Sequence, residues 1–469
     1  MIARTTKPHW KEGPLLLSRQ RCKRHSMIAE AINMPLEKVR VLQRGLYLAA
    51  KANPRRKFGV LYDKVYRWDV LESAYAQVRA NKGAPGIDQI SFDVIEGEIG
   101  IGSFLGAIQD KLKGKRYKPQ PVRRVYIPKA NGSQRPLGIP IIADRVVQAA
   151  VKIVMEPIFE AIFKDFSYGF RPRKNAHQAL QEVYKWLNFK CHLVVDADLK
   201  SYFDTIPHDK LLLSVRTRIT DRSLVKLIEM WLKAGVMEEL QVRKETTGTP
   251  QGGVISPLLA NLYLHWLDLT WENKGFGMKS QDAHLVRYAD DFVILCRRRP
   301  EYFLEEAKRV LDRLGLELNE QKTRIVDIKK EPFDFLGHRF VVQPSKRSGK
   351  LKTYYYPAPK AMKSVKKKIR EVVRKGQHWD LPRLLKEKVN PILRGWGNYF
   401  KTGNSRKHFL SIAGYTTWTL CIMLRKKHKK RSKGWRDHPP SWFYDYQGLF
   451  KLYELVAVGN EAKRYGRLV

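Results

Sequence analysis

The stretch HLVRYADDFVILCRR, residues 284–298, decides the reading of the fold. Two apolar arms flank Ala289-Asp290-Asp291, a pattern that predicts a tight β-hairpin with adjacent carboxylates at its tip. A second stretch, HLVVDADLKSYFDTIP (192–207), is a short β-branched run that ends among Asp196, Asp198 and Asp204 and breaks at Pro207. It reads as a buried strand delivering carboxylates to its end. Clustered acids in a basic chain need a reason, because like charges held together are costly unless a cation sits between them. Magnesium is the expected cation: it takes hard oxygen ligands and keeps substrate phosphates as co-ligands. Two ions about 4 Å apart would clamp the attacking and leaving oxygens of a phosphoryl displacement. An ordinary Asp-Asp turn with a helix cap at Asp198 is the competing reading of these residues.

Outward from the hairpin, GTPQGGVISPLLANLYLHWLDL (248–269) reads as a glycine loop entering a helix, with Ser256 as N-cap and Pro257 as first helical residue. Leu258, Leu259, Leu262, Tyr263 and Trp266 are expected on one face. TRIVDI (323–328) and FDFLGHRFVV (333–342) read as further strands. Upstream, residues 58–190 read as largely helical, interrupted by NKGAPGIDQ (81–89) and PKANGSQRPLGIP (128–140). The second of these loops predicts strand, turn at Asn131-Gly132, strand, then helix. Downstream, Lys360, Lys363, Lys367, Arg370 and Arg374 recur at helical spacing opposite Met362, Val365, Ile369 and Val372, which predicts an amphipathic helix with a basic stripe. RKKHKKRSKGWR (425–436) is a basic run with no acid.

The whole chain of 469 residues carries a net charge of +43. Such an excess repels itself without a polyanion, and counterion release makes phosphate backbones the natural partner. Eleven Trp, 21 Tyr and 19 Phe favour nucleic acid over anionic membrane, because aromatic rings stack on bases. No apolar run approaches the roughly 18 residues that span a bilayer, so no membrane partner is expected. The four cysteines, Cys22, Cys191, Cys296 and Cys421, form no CxxC pair. This argues against a disulfide scaffold and a Cys-paired zinc module, and favours a reduced cytoplasmic setting. NTPase, zincin and Cys/His-finger patterns are absent.

The motifs taken in order resemble a known family, the bacterial group II intron-encoded reverse transcriptases, or intron maturases. The resemblance rests on IPKANGSQRPLGIP (127–140), YGFRPRKNAHQAL (168–180), VDADLKSYFDTIPH (195–208), TPQGGVISPLLANLYL (249–264), RYADD (287–291), LNEQKT (318–323) and FDFLGHRF (333–340). NKGAPGIDQ resembles the family's extra N-terminal loop, and GWGNYF (395–400) the second half of its thumb. The resemblance covers roughly residues 60–430. It implies an α+β right-hand polymerase with mixed fingers, an antiparallel-sheet palm and a helical thumb. The implied division is a basic N-terminal extension (1–57), fingers and palm (58–343), a thumb or maturase domain (344–430) and a basic aromatic C-terminal segment (431–469) without an endonuclease domain.

The resemblance also assigns residues. Asp198, Asp290 and Asp291 would be the catalytic, metal-binding carboxylates, and the Leu199 carbonyl would complete the metal shell. Lys129 and Arg135 would hold the incoming triphosphate, Gln251 would pack by its sugar, and Phe203 would reject a 2′-hydroxyl. Lys322, Phe335, Leu336 and Gly337 would contact primer or template, with Lys363, Lys367 and Arg370 along the duplex backbone. The implied partners are group II intron RNA, an RNA template, a DNA primer or target, and dNTPs. Nothing in the sequence specifies an oligomeric state. The alternative readings are a domesticated group II-like reverse transcriptase in a defence system, and an RNA-binding splicing factor with an idle polymerase.

Overall fold

The computed structural model describes residues 36–128, 134–234, 236–238, 241–243, 252–278, 282–345, 348–428 and 434–455. Along the chain its strands are β1 (Val122–Pro128), β2 (Gln134–Ile139), β3 (Leu193–Ala197), β4 (Val236–Glu238), β5 (Gln241–Arg243), β6 (Ala283–Tyr288), β7 (Asp291–Cys296), β8 (Arg324–Asp327), β9 (Phe333–Phe335), β10 (His338–Pro344) and β11 (Leu351–Pro357). The chain forms two compact units. One contains the described parts of Met1–Lys164, Ser201–Trp266 and Leu314–Leu316; the other contains those of Asp165–Lys200, Leu267–Arg313 and Glu317–Val469.

In the first unit, β1 and β2 pair antiparallel, and β4 adds parallel to β1 in a sheet of order β2-β1-β4-β5. The turn between β1 and β2, which carries Lys129, lies outside the described residues. The helix Trp68–Ala80 buries Val70, Leu71, Ala74, Tyr75 and Val78, apolar positions recurring at the helical period, and packs on the helix Ile142–Glu160. Two glycines mark close approaches here. A Cβ on Gly86 would come within 2.6 Å of the Ile141 Cα, so NKGAPGIDQ packs against the residue after the hairpin. Gly252, with φ +117°, lies so close to the Gly138 carbonyl that a Cβ would meet it at 2.3 Å. The segment beginning at Gly252 therefore rests on β2.

The second unit holds the sheet expected from the two acidic stretches. Its order is β6-β7-β3-β8 and every pair is antiparallel. Val194, Val286, Val293, Leu295 and Val326 face Leu180, Val183 and Leu187 of the helix Ala176–Asn188 in one core. That helix starts with a capping box: the Asn175 side chain accepts from Gln178 N at 3.0 Å, and Asn175 N donates to the Gln178 side chain at 2.9 Å. FDFLGHRFVV is not one strand but a hairpin, β9 to β10, turning at Leu336 and Gly337. β11 completes this second antiparallel sheet.

The helices Pro359–Lys375, Asn390–Phe400 and Arg406–Lys427 form a further core around Val365, Ile369, Leu393, Phe409, Ile412 and Leu420. Residues 434–455 join it through Phe443, Leu449 and Leu452, and Asn390 fixes them by donating to Gly448 O at 2.9 Å and accepting from Phe450 N at 2.9 Å.

The helix Ser256–Asn273 is buried nearly all round, including Asn261, Leu264, His265 and Asp268, whereas Trp266 is 41 % exposed. Of the five apolar residues expected on one face, Leu258, Leu259, Leu262 and Tyr263 are buried and Trp266 is not. In the basic helix Val365 and Ile369 are buried, and Met362 and Val372 pack partly buried against the same core. Among the described residues no helix is long and apolar enough to cross a membrane.

Candidate active site

Asp198 lies one residue beyond the end of β3. The loop 318–323 wraps it. Asn319 N donates to Asp198 O at 2.8 Å, Asn319 Nδ2 approaches Oδ2 at 3.4 Å, and Lys322 Nζ donates to Oδ2 at 2.7 Å. Leu199 and Leu318 form an isolated antiparallel bridge flanked by Lys200 N donating to Glu317 O at 3.0 Å. The flanking residues make the bonds in such a pair, so the Leu199 carbonyl turns away from Leu318.

The hairpin tip is pinned from three directions. Tyr288 pairs with Asp291, leaving Ala289 and Asp290 as a two-residue turn with Ala289 at φ +59°. Gly169 lies beneath it, where a Cβ would meet Ala289 N at 2.3 Å. Tyr168 N donates to Arg287 O at 2.8 Å, and Arg287 N to Phe166 O at 2.9 Å. The Arg287 guanidinium is fully buried. It grips both oxygens of the equally buried Asp268, at 2.9 and 2.5 Å, and donates to the Ala289 carbonyl at 3.0 Å.

Strand register brings the two acidic stretches together. The β3–β7 register ends at Ala197 and Phe292, one residue short of Asp198 and Asp291, whose charges act on each other. Asp291 is exposed as a residue, yet its carboxyl is pushed up to about 7 by burial and by the charges of Asp290, Asp198 and Asp196, with Lys322 opposing. Asp196 is raised by burial, against the pull of Arg324, whose Nε lies 3.4 Å from Oδ2. This crowding of oxygen donors fits a hard divalent cation.

A pH dependence follows. A folded-state value of about 7 against an ordinary value of about 3.9 means that the folded chain binds more protons between them. The Asp291 contribution to stability is thus favourable at low pH and lost as pH rises through 7. A divalent cation competes with that proton. Mg²⁺ should raise the melting temperature more at about pH 8 than at about pH 5.5. Equal shifts at both would separate Asp291 from the cation.

The remaining predicted residues fall as follows. Lys129, Gln251 and the Arg135 side chain lie outside what is described; the Arg135 backbone is in β2, paired with Ile127. Phe203 is half-buried in the first unit, edge-on to Tyr202 at 5.4 Å, and the Tyr202 hydroxyl donates to Ala260 O at 2.6 Å. Phe335 is buried in the core of the second unit, and Leu336 and Gly337 form the turn that follows it. Their backbone is held from the helical side: Tyr399 Oη donates to Leu336 O at 3.0 Å, and Ala358 N to Gly337 O at 2.9 Å. Lys363, Lys367 and Arg370 are exposed on one helix, with Arg370 Nε donating to Tyr415 Oη at 3.1 Å.

Sequence reasoning did not single out Arg287, Asp268, Gly169 or Tyr399 as site residues. A charged residue inside an apolar strand run was the one signal for Arg287. Its partner, 19 positions earlier on a helix, gave none.

A family model described as reverse transcriptase (RNA-dependent DNA polymerase) matches residues 127–340, and one described as group II intron, maturase-specific domain matches residues 362–439. Protein YkfC of Escherichia coli (strain K12) is 36% identical over 342 residues, 65% of this chain and 89% of YkfC. The group II intron-encoded protein LtrA of Lactococcus lactis subsp. cremoris is 34% identical over 361 residues, 63% of this chain and 59% of LtrA. An uncharacterized 91 kDa protein in cob intron of Schizosaccharomyces pombe is 28% identical, over 77% of this chain and 53% of that protein. The chain thus spans somewhat over half the length of the last two relatives. An antiparallel sheet with carboxylates at one end, within the reverse transcriptase match, defines an α+β right-hand polymerase fold. With the maturase match beyond it, the chain belongs to the family of group II intron-encoded reverse transcriptases and maturases.

Proposed function

We propose that the chain is the RNA-directed DNA polymerase of a group II intron, which binds the intron RNA, assists its splicing and copies it into DNA during retrohoming. What supports this reading is that β3 leads to Asp198 and the β6–β7 turn carries Asp290 and Asp291 at the same end of the β6-β7-β3-β8 sheet, with the charges of Asp198, Asp290 and Asp196 all acting on Asp291. Asp198, Asp290, Asp291 and the Leu199 carbonyl would hold two Mg²⁺ ions. Bound there, Mg²⁺ supplies activation of a primer 3′-hydroxyl and neutralisation of a triphosphate.

The chain's own residues do the rest. Lys322 neutralises Asp198 and presents an ammonium where substrate phosphates arrive. Lys129 and Arg135 hold the triphosphate, and Gln251 its sugar. Leu336 and Gly337 support the primer end through backbone fixed by Tyr399 and Ala358. Phe203 is braced by Tyr202, so an added 2′-hydroxyl meets a ring with little freedom to move. Phe203→Ala should incorporate ribonucleotides more readily than wild type in single-nucleotide extension; unchanged sugar selection would reject the gate.

The stripe of Lys363, Lys367 and Arg370 would follow the template backbone. Replacing all three with glutamine should weaken binding uniformly across sequences and flatten the salt slope by about one for each phosphate no longer neutralised. An unaltered slope would return the stripe to ordinary surface. The function itself is tested with purified full chain by primer extension on RNA templates and by splicing of precursor RNA from its own intron. The reading requires dNTP- and Mg²⁺-dependent cDNA and accelerated splicing. Splicing without cDNA would leave a maturase alone.

A further inference from the structure

The other end of the same sheet carries a second constellation. Cys191 precedes β3, Asp282 precedes β6, and His284 is the second residue of β6. Both strands run from here toward the carboxylate end. At about 3.3 Å per residue, Asp282 to Tyr288 alone spans about 20 Å. The cluster is therefore separate from Asp198 and Asp290.

Ligand atoms of Cys191, Asp282 and His284 all lie within 4.8 Å of one another. Cys191 Sγ is 3.7 Å from Asp282 Oδ1, and His284 Nε2 is 3.0 Å from the same oxygen. Around a tetrahedral zinc ion, with bonds of about 2.0–2.3 Å, donor atoms stand roughly 3.4–3.6 Å apart. The two distances to Asp282 Oδ1 bracket that spacing.

The surroundings are built. Cys191 is fully buried and His284 is 7 % exposed. The Trp186 ring stacks flat on His284, with centroids 3.2 Å apart and planes 6° from parallel, which sets the imidazole plane. Arg297 Nε donates to Asp282 Oδ2 at 2.5 Å, and Arg297 NH2 to Phe189 O at 2.9 Å. The guanidinium thus holds Asp282 Oδ2 and also reaches the Cys191 sulfur, which favours the thiolate that a metal takes, while Oδ1 faces the sulfur and the ring. That division, one oxygen inward and one bonded outside, is how supported metal carboxylates are held. Asp282 also has φ +52°, a conformation that costs energy for a residue with a Cβ.

We propose that Cys191, Asp282 and His284 form a site for one divalent cation of the zinc type, with water as the fourth ligand. Sulfur and imidazole select a softer ion than the Mg²⁺ suited to the carboxylate cluster. The sulfur–metal bond forms as the Cys191 thiol proton leaves to solvent. The site ties the segments entering β3 and β6, whose far ends carry Asp198 and Asp290. Sequence spacing hides it, because its ligands come from segments about 90 residues apart.

The test uses purified full chain. Elemental analysis after dialysis should find about one zinc per chain, and Co²⁺ in its place should give a sulfur-to-cobalt charge-transfer band. Cys191→Ser should abolish that band and weaken zinc binding at least about tenfold, since loss of even outer-shell partners costs that much. His284→Gln should weaken binding and keep the band. Cys296→Ser, at the adjacent buried thiol, should change neither. Circular dichroism reports whether each variant folds; if Cys191→Ser does not, the wild-type metal content and cobalt spectrum decide. Wild type that takes up neither metal, or a band that survives Cys191→Ser, overturns the proposal and leaves a hydrogen-bonded ion pair.

Discussion

Asp290→Ala should give essentially no cDNA from a primed RNA template, under conditions in which wild type extends the primer with dNTPs and Mg²⁺. Asp290 sits in a two-residue turn at the end of the palm sheet, where its carboxylate adds a hard oxygen donor beside Asp291 and Asp198. Losing that donor removes several kcal/mol of charge stabilisation, and each ~1.4 kcal/mol is tenfold in rate, so the loss is at least about 10³-fold. The fold should not suffer, because the substitution relieves repulsion in a crowded acidic cluster. Unchanged melting temperature and RNA affinity with lost synthesis would show that chemistry, not folding, has been removed. Equal product from both proteins would remove the assigned site.

Arg287→Met should have the largest effect on stability. Arg287 and Asp268 are both fully enclosed, and the guanidinium meets both carboxylate oxygens. Breaking such a pair from one side leaves a buried charge uncompensated and costs about 3–5 kcal/mol. The same change removes the donor to the Ala289 carbonyl, which supports the turn holding Asp290. Denaturant unfolding should show a much lower midpoint, and primer extension should fall with it. The double variant Arg287→Met with Asp268→Leu should recover much of the midpoint, because an apolar pair of similar volume is close to neutral there. Its extension rate should recover less, since the turn still lacks its donor. A wild-type midpoint in the single variant would contradict the structural role given to this pair.

The palm was legible because its strands repeat with the periods their burial demands. β6, β7 and β3 are apolar runs that end at acids, and the basic helix shows its stripe at helical spacing. The meeting of Asp198 with Asp291 was not readable from periodicity, because it depends on the pairing of Ala197 with Phe292, residues nearly a hundred positions apart. The resemblance to a family, rather than the pattern itself, suggested that meeting. Phe335 was assigned to the primer by the family resemblance, and its ring falls on the inward side of β9. Trp266 shares the spacing of Leu259, Leu262 and Tyr263, yet it stays 41 % exposed and donates to Ser214 Oγ at 2.9 Å. Both differences arise from which neighbour covers a face, and that is long-range information.

The most direct measurement is a count of divalent ions. Mn²⁺ can replace Mg²⁺ and be counted by electron paramagnetic resonance in a complex of full chain, primer on RNA template and a non-reacting dNTP analogue. About two Mn²⁺ per wild-type complex are expected, with loss of this tight binding in the Asp198→Ala, Asp290→Ala double variant. Equal Mn²⁺ binding by the two proteins would contradict a paired-metal site at these carboxylates.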